Sequence, residues 1–289
     1  MARPALIVYN PGAHGGASAL DPLRVAATLR GWGFAPRLVE TRGPRTLHDI
    51  RLAVRHGVSV VIGMGGDGTL HLLANALARS QTVLGVVPLG TGNDFARSLN
   101  LPLDPFQALE VIRTGRVRRV DLGRVNGHYF LNVAGVGMSS ELHRLATADD
   151  KRRWGKWSYW LAFARHLAHR HALPIEIDVA PGLHAAYQVL IANGPSFGGG
   201  MRVAEEATVT EGLLDTVVVE PGWRSLLAGA LAPRKTLIER LASRHVRSRR
   251  VTLRTPGPVE LMLDGDRHRG RSPLQFEVVP RALRVLVPG

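Results

Sequence analysis

Apolar, β-branched runs alternate with amphipathic stretches along the first 120 residues of the chain. The pattern predicts a strand and a helix in turn, four times over. The predicted strands are residues 5–9, 36–40, 58–62 and 83–87, and the predicted helices are residues 19–30, 46–55, 69–79 and 93–100. This order builds a parallel sheet with helices on both faces, in which ligands bind beyond the carboxyl ends of the strands.

The pattern changes after residue 115. Asn126-Gly127 separates two apolar runs, 117–125 and 128–133, which is a strong signal for a two-residue hairpin. Further strands are predicted at residues 175–179, 187–193, 213–220, 246–254, 259–263 and 274–279, and helical patterns at 139–148, 157–171 and 234–244. The second half therefore predicts a mainly antiparallel β domain, of the sandwich type.

Composition narrows the class of protein. The chain has 289 residues, of which 45% are hydrophobic, enough for two domains or one large one. It contains no cysteine, so neither disulfides nor thiolate chemistry are available. No basic segment with a long apolar run precedes the first predicted strand, and no run approaches the roughly 20 apolar residues of a membrane span. We therefore expect a cytoplasmic protein.

The charge of the chain is strongly positive. The formal net charge of +14 is carried almost wholly by arginine, since the lysines are Lys151, Lys156 and Lys235. A field of this sign favours nucleotide phosphates, nucleic acid or an anionic membrane surface, although codon bias toward arginine explains part of it. No nucleic-acid motif of known geometry is present, so nucleic acid is not expected as a partner.

Three glycine-rich loops follow predicted strands of the first domain. They read Asn10-Pro11-Gly12-Ala13-His14, Gly65-Gly66-Asp67-Gly68-Thr69-Leu70-His71 and Gly90-Thr91-Gly92-Asn93-Asp94. Glycines let backbone N–H groups approach a phosphate closely, and a following helix adds its N-terminus. Taken singly, Asp67 and Asp94 are equally typical of a turn or of the first turn of a helix.

These loops, together with the longer segment Pro88-Leu89-Gly90-Thr91-Gly92-Asn93-Asp94-Phe95-Ala96-Arg97, resemble the diacylglycerol kinase catalytic-domain family. That family includes bacterial soluble lipid kinases and is related to sphingosine and ceramide kinases. The resemblance implies a first domain like those of NAD kinase and phosphofructokinase, with ATP and Mg²⁺ as cofactors. It implies nucleotide contacts by residues of the three loops and by Thr41, and catalytic roles for Asp67 and Asp94.

Two carboxylate motifs of the second half extend the resemblance. Leu263-Asp264-Gly265-Asp266 is similar to the Asp-Gly-Glu segment of the family, which implies that Asp264 is the general base, with Asp266 in place of the usual Glu. Without the family, Asp264-Gly265 is a plain hairpin turn. Glu211-Gly212-Leu213-Leu214-Asp215 resembles a turn that can bind a structural Mg²⁺ through Asp215, and it is otherwise a simple turn.

The resemblance also implies a division into domains. Residues 1–122 form the nucleotide-binding domain, residues 123–280 form the β-rich domain for the lipid acceptor, and residues 281–289 return to the first domain as a final strand. The segment 151–160 clusters basic and aromatic residues, which suits either an anionic lipid surface or a helix packed on the β domain.

The expected function is phosphorylation of a hydroxyl of diacylglycerol or a related lipid, by a protein that associates peripherally with the membrane. Two alternatives stay open, a catalytically silent regulator of the same fold and an NAD kinase. The sequence leaves open which lipid is the acceptor, and it leaves open the oligomeric state, a homodimer included. Leu72, Ser139, Glu205 and Asp266 depart from the pattern of the family and bear on acceptor recognition.

Overall fold

A computed structural model of the chain describes residues 2–12, 20–41, 45–137, 172–221 and 244–289. The helices are α1 (Pro22–Gly31), α2 (Arg45–Arg55), α3 (Asp67–Leu77), α4 (Asp94–Ser98) and α5 (Pro105–Thr114). The strands of the first half are β1 (Arg3–Tyr9), β2 (Phe34–Glu40), β3 (Val60–Gly65), β4 (Val83–Pro88), β5 (Arg116–Val125), β6 (His128–Phe130) and β7 (Val133–Gly137). Those of the second half are β8 (Leu173–Pro174), β9 (Glu176–Ile177), β10 (Ala185–Ala186), β11 (Gln188–Ala192), β12 (Ser196–Phe197), β13 (Met201–Arg202), β14 (Leu214–Val219), β15 (Arg244–Ser248), β16 (Arg250–Arg254), β17 (Val259–Leu263), β18 (Asp266–Gly270) and β19 (Leu274–Val287).

The first four strands form a parallel sheet in the order β2-β1-β3-β4. Val61, Ile62, Leu84 and Val87 on its strands are buried, because helices cover both faces of the sheet. The α/β domain predicted from the alternation of strands and helices is confirmed.

Local capping explains where the helices begin. Asp21 accepts a hydrogen bond from the N–H of Leu23 ahead of α1, and Asp104 caps α5 in the same way through the N–H groups of Phe106 and Gln107. Both caps are followed by a proline at the first helical position, where its missing N–H costs nothing. Helix α5 was not predicted, although this cap is its signal.

The second half contains a six-stranded sheet in the order β15-β14-β11-β7-β17-β18, with antiparallel pairing throughout. A second apolar core includes Phe130, Phe276, Ile191 and Leu263 and lies between this sheet and the antiparallel part of the first. The predicted antiparallel sandwich is confirmed.

Strand β19 belongs to both sheet regions of the molecule. Its first half pairs with β16 and β5, and its second half pairs with β5 and, in parallel, with β4 through Arg284 and Val285. The register shifts between Val279 and Leu283, and Arg281 there has a φ of 55° and donates its N–H to the buried Asp121. The two predicted runs at the C-terminus are thus one strand with a bulge.

Other boundaries differ in detail from the sequence pattern. The run 128–133 divides into β6 and the first residue of β7, the run 246–254 divides at Arg249, and the run 175–179 reduces to the two-residue strand β9. The helical patterns at 139–148 and 157–171 lie outside the described residues, as does the pattern at 234–244 except for Arg244, which begins β15. None of the helices in the described parts is long and apolar enough to cross a membrane.

Candidate active site

A cleft of about 570 Å³ opens at the carboxyl ends of the parallel strands. Its lining residues are Asn10, Gly12, Thr41, Gly66, Gly68, Thr69, Leu72, Leu89, Gly90, Thr91 and Asp266. Eight of these were predicted from the sequence, and they come from the ends of β1, β2, β3 and β4. Asp266 comes from β18, so both domains form the wall.

Two of the glycine loops touch backbone to backbone. A Cβ atom on Gly66 would lie 3.0 Å from Cα of Gly90, and one on Gly90 would lie 2.5 Å from Cα of Gly66. Gly66 is also the N-cap of α3, whose first N–H groups have no partner within the helix. The contact therefore requires glycine on both sides, and it leaves a helix N-terminus facing the cleft.

Asn93 shapes the second of these loops rather than lining the cleft. Its side chain accepts the N–H of Gly90 at 2.9 Å and donates to the carbonyl of Gly90 at 2.8 Å. The residue is buried and has a φ of 52°, a left-handed conformation that asparagine tolerates better than most residues. Asn93 thus fixes the position of Gly90, and its contact with a nucleotide stays a prediction.

Asp94 joins the two domains beside the cleft. Its carboxylate accepts the N–H groups of Gly199 (2.8 Å) and Gly200 (2.6 Å), from the loop between β12 and β13. Both glycines have positive φ, which turns successive N–H groups toward one anion. The sequence singled out Asp94, but not this contact.

Asp67 is the neighbour of Asp94 across Gly92. Its Oδ1 accepts the N–H of Phe95 at 3.3 Å, and a Cβ atom on Gly92 would lie 2.8 Å from its Oδ2. Burial and the negative charge of Asp94 raise the pKa of Asp67 to about 6. A carboxylate crowded by another carboxylate favours a bound cation, so Asp67 fits a role as magnesium ligand.

Asp264 lies behind the cleft wall, with 1% of its side chain exposed. Its Oδ2 lies 2.9 Å from Nδ1 of His71 and 2.7 Å from the N–H of Leu131, and its Oδ1 accepts the N–H groups of Asn132 (2.8 Å) and Val133 (3.2 Å). Each carboxylate oxygen thus accepts two hydrogen bonds. This geometry is that of a residue that holds other groups in place.

The turn that carries Asp264 is the two-residue hairpin that the Asp-Gly pair predicts. Asp264 and Gly265 have φ values of 50° and 99°, as a type I′ turn requires, and Leu263 pairs with Asp266 across it. The turn directs the two aspartate side chains to different places, since that of Asp264 points into the protein and that of Asp266 reaches the cleft. The hairpin turn predicted from the Asp-Gly pair therefore also carries the two aspartates of the candidate site.

Three histidines lie together beside this turn. The ring of His268 is 4.8 Å from that of His128 and 5.8 Å from that of His71, measured between centroids. Burial lowers the pKa of His71, but the hydrogen bond and charge of Asp264 outweigh it and raise that pKa above its usual value. Burial and the two neighbouring histidines lower the pKa of His268. No pattern in the sequence brought these histidines together.

Asp215, the predicted ligand of a structural metal ion, lies beside basic side chains. Asp215 is fully buried, and its Oδ1 lies 2.5 Å from Nε2 of His245 and 3.4 Å from Nε of Arg247. Arg247 also pairs with Glu211, the other acid of the predicted turn. Basic side chains of β15 therefore contact Oδ1, whereas the buried Oδ2 has no hydrogen-bond partner among the described residues, and the structural metal ion stays a prediction. Among the described residues, no cluster of three or more acidic or histidine side chains is arranged for a metal ion.

The remaining predicted site residues fall into three groups. Leu70 is in the hydrophobic core, His71 contacts Asp264, and Gly65 accepts the N–H of Leu89 through its carbonyl at the end of β3. Pro11 is exposed beside the first loop. Ala13, His14 and the basic segment 151–160 lie outside the described residues. Leu72, Leu89 and Asp266 line the cleft without having been predicted to bind the cofactor.

The fold is that of an α/β domain with a parallel sheet joined to a β sandwich, and comparisons with known proteins agree. Residues 4–125 match the family model described as diacylglycerol kinase catalytic domain, and residues 132–287 match the YegS C-terminal NAD kinase beta sandwich-like domain. The chain therefore belongs to the diacylglycerol kinase catalytic-domain family, as its loop motifs predicted.

Individual relatives cover nearly the whole chain. A protein of Pseudomonas fluorescens named "Probable lipid kinase YegS-like" is 32% identical over 99% of this chain and 96% of its own length. A diacylglycerol kinase of Bacillus subtilis is 29% identical over 83% of this chain and 82% of its own. A crystal structure of a diacylglycerol kinase from Bacillus anthracis, 24% identical, superposes with a TM-score of 0.76 over 99% of this chain and 97% of the other, which shows the shared fold.

Proposed function

We propose that the protein is an ATP-dependent lipid kinase that transfers the γ-phosphoryl group to a hydroxyl of diacylglycerol or a related lipid. The observation that carries the proposal is the cleft itself, in which glycine loops and a helix N-terminus of the first domain face the carboxylate of Asp266 from the second. Phosphoryl transfer requires just these parts, namely a cradle for phosphates, a site for Mg²⁺ and an acceptor for the proton of the hydroxyl.

The phosphates of ATP bind at the N-terminus of α3. The N–H groups of Gly66 and Gly68 and the hydroxyls of Thr69 and Thr91 are the donors available there, since these residues line the cleft. Helix N-termini favour anions through their free N–H groups and the helix dipole. The absence of side chains at Gly66 and Gly90 lets a phosphate approach the backbone.

Asp67 holds the magnesium ion in this proposal. Its Oδ1 accepts the N–H of Phe95, and burial followed by the negative charge of Asp94 raises its pKa, so a bound cation would stabilise its charged form. Bound Mg²⁺ supplies charge neutralisation for the transferring phosphoryl group. Asp94 positions the glycine loops around Asp67 through its bonds to Gly199 and Gly200.

Asp266 accepts the proton of the lipid hydroxyl. The oxygen of the acceptor forms a bond to the γ-phosphorus, the bond from that phosphorus to the bridging oxygen breaks, and ADP leaves. Asp264 was expected to take the proton, but its carboxylate oxygens already accept four hydrogen bonds, whereas Asp266 is exposed and lines the cleft. In this proposal Asp264 positions the turn that presents Asp266.

The decisive experiment uses the purified protein with labelled ATP, Mg²⁺ and a panel of acceptors. The panel contains long-chain diacylglycerol in vesicles, a short-chain diacylglycerol in solution, sphingosine, ceramide and NAD. We expect label transfer to a lipid hydroxyl, and Asp67→Asn as the matched inactive control. Transfer to NAD alone would establish the NAD kinase alternative, and no transfer to any acceptor would favour a silent regulator.

A further inference from the structure

The first residues of β5 form an arginine-rich edge of the large sheet. Arg116, Val117, Arg118 and Arg119 are all exposed, and Val117 has 45% of its surface accessible. Strand β19 pairs with one side of this segment. In the described parts of the chain, no strand pairs with its other side, because β6 pairs only with residues 123–125. We call residues 116–119 the arginine edge.

The Arg116 end of the arginine edge lies toward the end of the sheet at which the cleft opens, whereas Arg119 is level with Val83 at the start of β4. Arg116 lies opposite Val287 at the end of β19, and the second half of β19 runs parallel to β4. The carboxyl end of β4 leads into the loop of Gly90 and Thr91, which line the cleft. Two strand spacings, about 10 Å, separate β4 from β5.

The charge of the arginine edge is not neutralised by nearby acids of the fold. Arg119, Arg118, Val117 and Arg116 lie opposite Arg284, Val285, Leu286 and Val287. Within the described residues, Arg116, Arg118 and Arg119 form no ion pair, and Arg284 donates to Gln81 rather than to a carboxylate. Glu110 of the preceding helix is paired with Arg113.

These features argue for an anionic partner and against a second copy of this chain. Pairing two such edges would bring arginines of both copies side by side, and like charges in that arrangement are destabilising. An anionic surface, in contrast, attracts exposed arginines from both faces of the sheet when it meets the edge, Arg116 and Arg118 on one face and Arg119 on the other. The overall charge of +14 has the matching sign.

We propose that the arginine edge docks the protein on an anionic phospholipid surface and so brings the cleft to a lipid acceptor. The proposal rests on the proposed function, because only an acceptor that resides in a membrane requires such a surface. Arginines on an edge strand also prevent pairing between sheets, which would explain the edge without any membrane. The two explanations predict different effects on vesicle binding when the arginine charges are removed.

The experiment measures co-sedimentation with vesicles of phosphatidylcholine mixed with phosphatidylglycerol, and with vesicles of phosphatidylcholine alone. The test variant is Arg116→Glu/Arg118→Glu/Arg119→Glu. The matched control is Arg24→Glu/Arg30→Glu/Arg37→Glu, which makes the same change in net charge at exposed positions of α1 and β2, at the opposite edge of the sheet. A milder variant with Gln at the three edge positions serves if the first does not fold.

We expect the wild type to bind only the vesicles that contain phosphatidylglycerol, less so at high salt. The edge variant should bind about 100-fold more weakly, at roughly fivefold for each basic residue near the surface, while the control variant keeps most of its affinity. Equal losses in both variants would show an effect of net charge alone and would overturn the proposal. Unchanged vesicle binding by the edge variant would also overturn the proposal. Self-association of the Gln variant with intact vesicle binding would do the same, because that is the result expected if the arginines only prevent pairing between sheets.

Activity measurements distinguish a failure of the docking proposal from a failure of the proposed kinase function. The edge variant should phosphorylate a short-chain diacylglycerol in solution as fast as the wild type and lose activity only on vesicles. Vesicle binding itself is measured without ATP, so an inactive wild type would refute the kinase and leave the docking result standing.

Discussion

Nδ1 of His71 lies 2.9 Å from Oδ2 of Asp264, and this contact joins helix α3 of the α/β domain to the hairpin turn between β17 and β18. Helix α3 also provides the N-terminus that faces the cleft, and the turn also presents Asp266. The pair thus fixes the distance between the glycine loops proposed to bind phosphate and the carboxylate of the opposite wall. Both side chains are almost fully buried, so the contact is protected from water.

Replacing each aspartate of the turn by asparagine, one at a time, distinguishes Asp266, the proposed general base, from Asp264, which is proposed to position it. We expect Asp266→Asn to lower turnover by about 10²–10⁴-fold, the usual contribution of general-base catalysis, with an unchanged free energy of unfolding. Asp264→Asn should destabilise the fold by about 1–3 kcal/mol, because buried donors lose a charged acceptor. Turnover and denaturant unfolding of both variants are the measurements. A stable Asp264→Asn protein that has lost turnover would return the base role to Asp264.

The stability contributed by His71 should depend on pH. Its pKa is raised in the folded state above the ordinary value of 6.5. The contribution is therefore fully present below about pH 6.5 and is lost as the pH rises through the folded pKa. We expect His71→Asn to lower the free energy of unfolding by about 1–3 kcal/mol near pH 6 and by less near pH 9. His48→Asn, at an exposed position of α2, is the control. An equal loss at both pH values would contradict a charged His71.

Asp67 predicts a second pH dependence, in nucleotide binding. Because burial and Asp94 raise its pKa to about 6, Asp67 becomes protonated below that pH and can no longer hold a cation. The affinity for Mg²⁺ with a non-hydrolysable ATP analogue should therefore fall as the pH drops below about 6. Excess Mg²⁺ should move the fall to lower pH, since metal ion and proton compete. Calorimetry across the pH series tests this, and Asp67→Asn should remove the fall altogether.

Much of the cradle could be predicted from the sequence, because glycine loops after apolar strands are local patterns. Gly66, Gly68, Gly90 and Thr91 all line the cleft as expected. The local pattern does not tell which residue of a loop faces the ligand. Leu70 therefore turned out to be in the core, while Leu72, two positions on, lines the cleft.

The contacts between domains could not be predicted, because they join residues far apart in the chain. Asp94 meets Gly199 and Gly200 only after the sheets have packed, and the same holds for His71 and Asp264. Strand β18 was not predicted, because its sequence from Asp266 to Gly270 lacks the alternation of apolar and polar residues. This lack of alternation is typical of a strand at the edge of a sheet. The Asp-Gly turn after β17 was its available signal, since such a turn returns the chain as a second strand.

The backbone contact between the glycine loops makes Gly66 sensitive to a single methyl group. Gly66→Ala should force the loops apart, because its Cβ would lie 3.0 Å from Cα of Gly90, where no flexible side chain can give way. The backbone angles at Gly66 suit alanine, so the fold should survive. We expect ATP affinity to fall about tenfold or more, by calorimetry. Gly31→Ala, whose Cβ meets nothing within 4 Å, is the control. Unchanged affinity in Gly66→Ala would remove this loop from the nucleotide site.

The contacts of Arg247 and His245 with Asp215 lead to a prediction about whether the stability of the β domain depends on a metal ion. Both side chains contact Oδ1 of the buried Asp215, and Arg247 also pairs with Glu211. The melting temperature of the nucleotide-free protein should therefore be the same in EDTA and in Mg²⁺. Arg247→Met breaks the charge-assisted hydrogen bond to Glu211 and removes the positive charge beside the buried Asp215, and we expect a loss of about 1–3 kcal/mol.

The variant should also acquire a response to the metal ion that the wild type lacks. Two acids released from their arginine form a carboxylate pair, for which a divalent cation is the natural counter-ion, so Mg²⁺ or Ca²⁺ should restore part of the lost stability. Arg249→Met, at an exposed position between β15 and β16, should show neither the loss nor the response. Thermal unfolding of the three proteins with and without EDTA is the measurement. If EDTA alone destabilises the wild type, a metal ion binds beside Asp215 after all, and the arginine supplements it rather than replacing it.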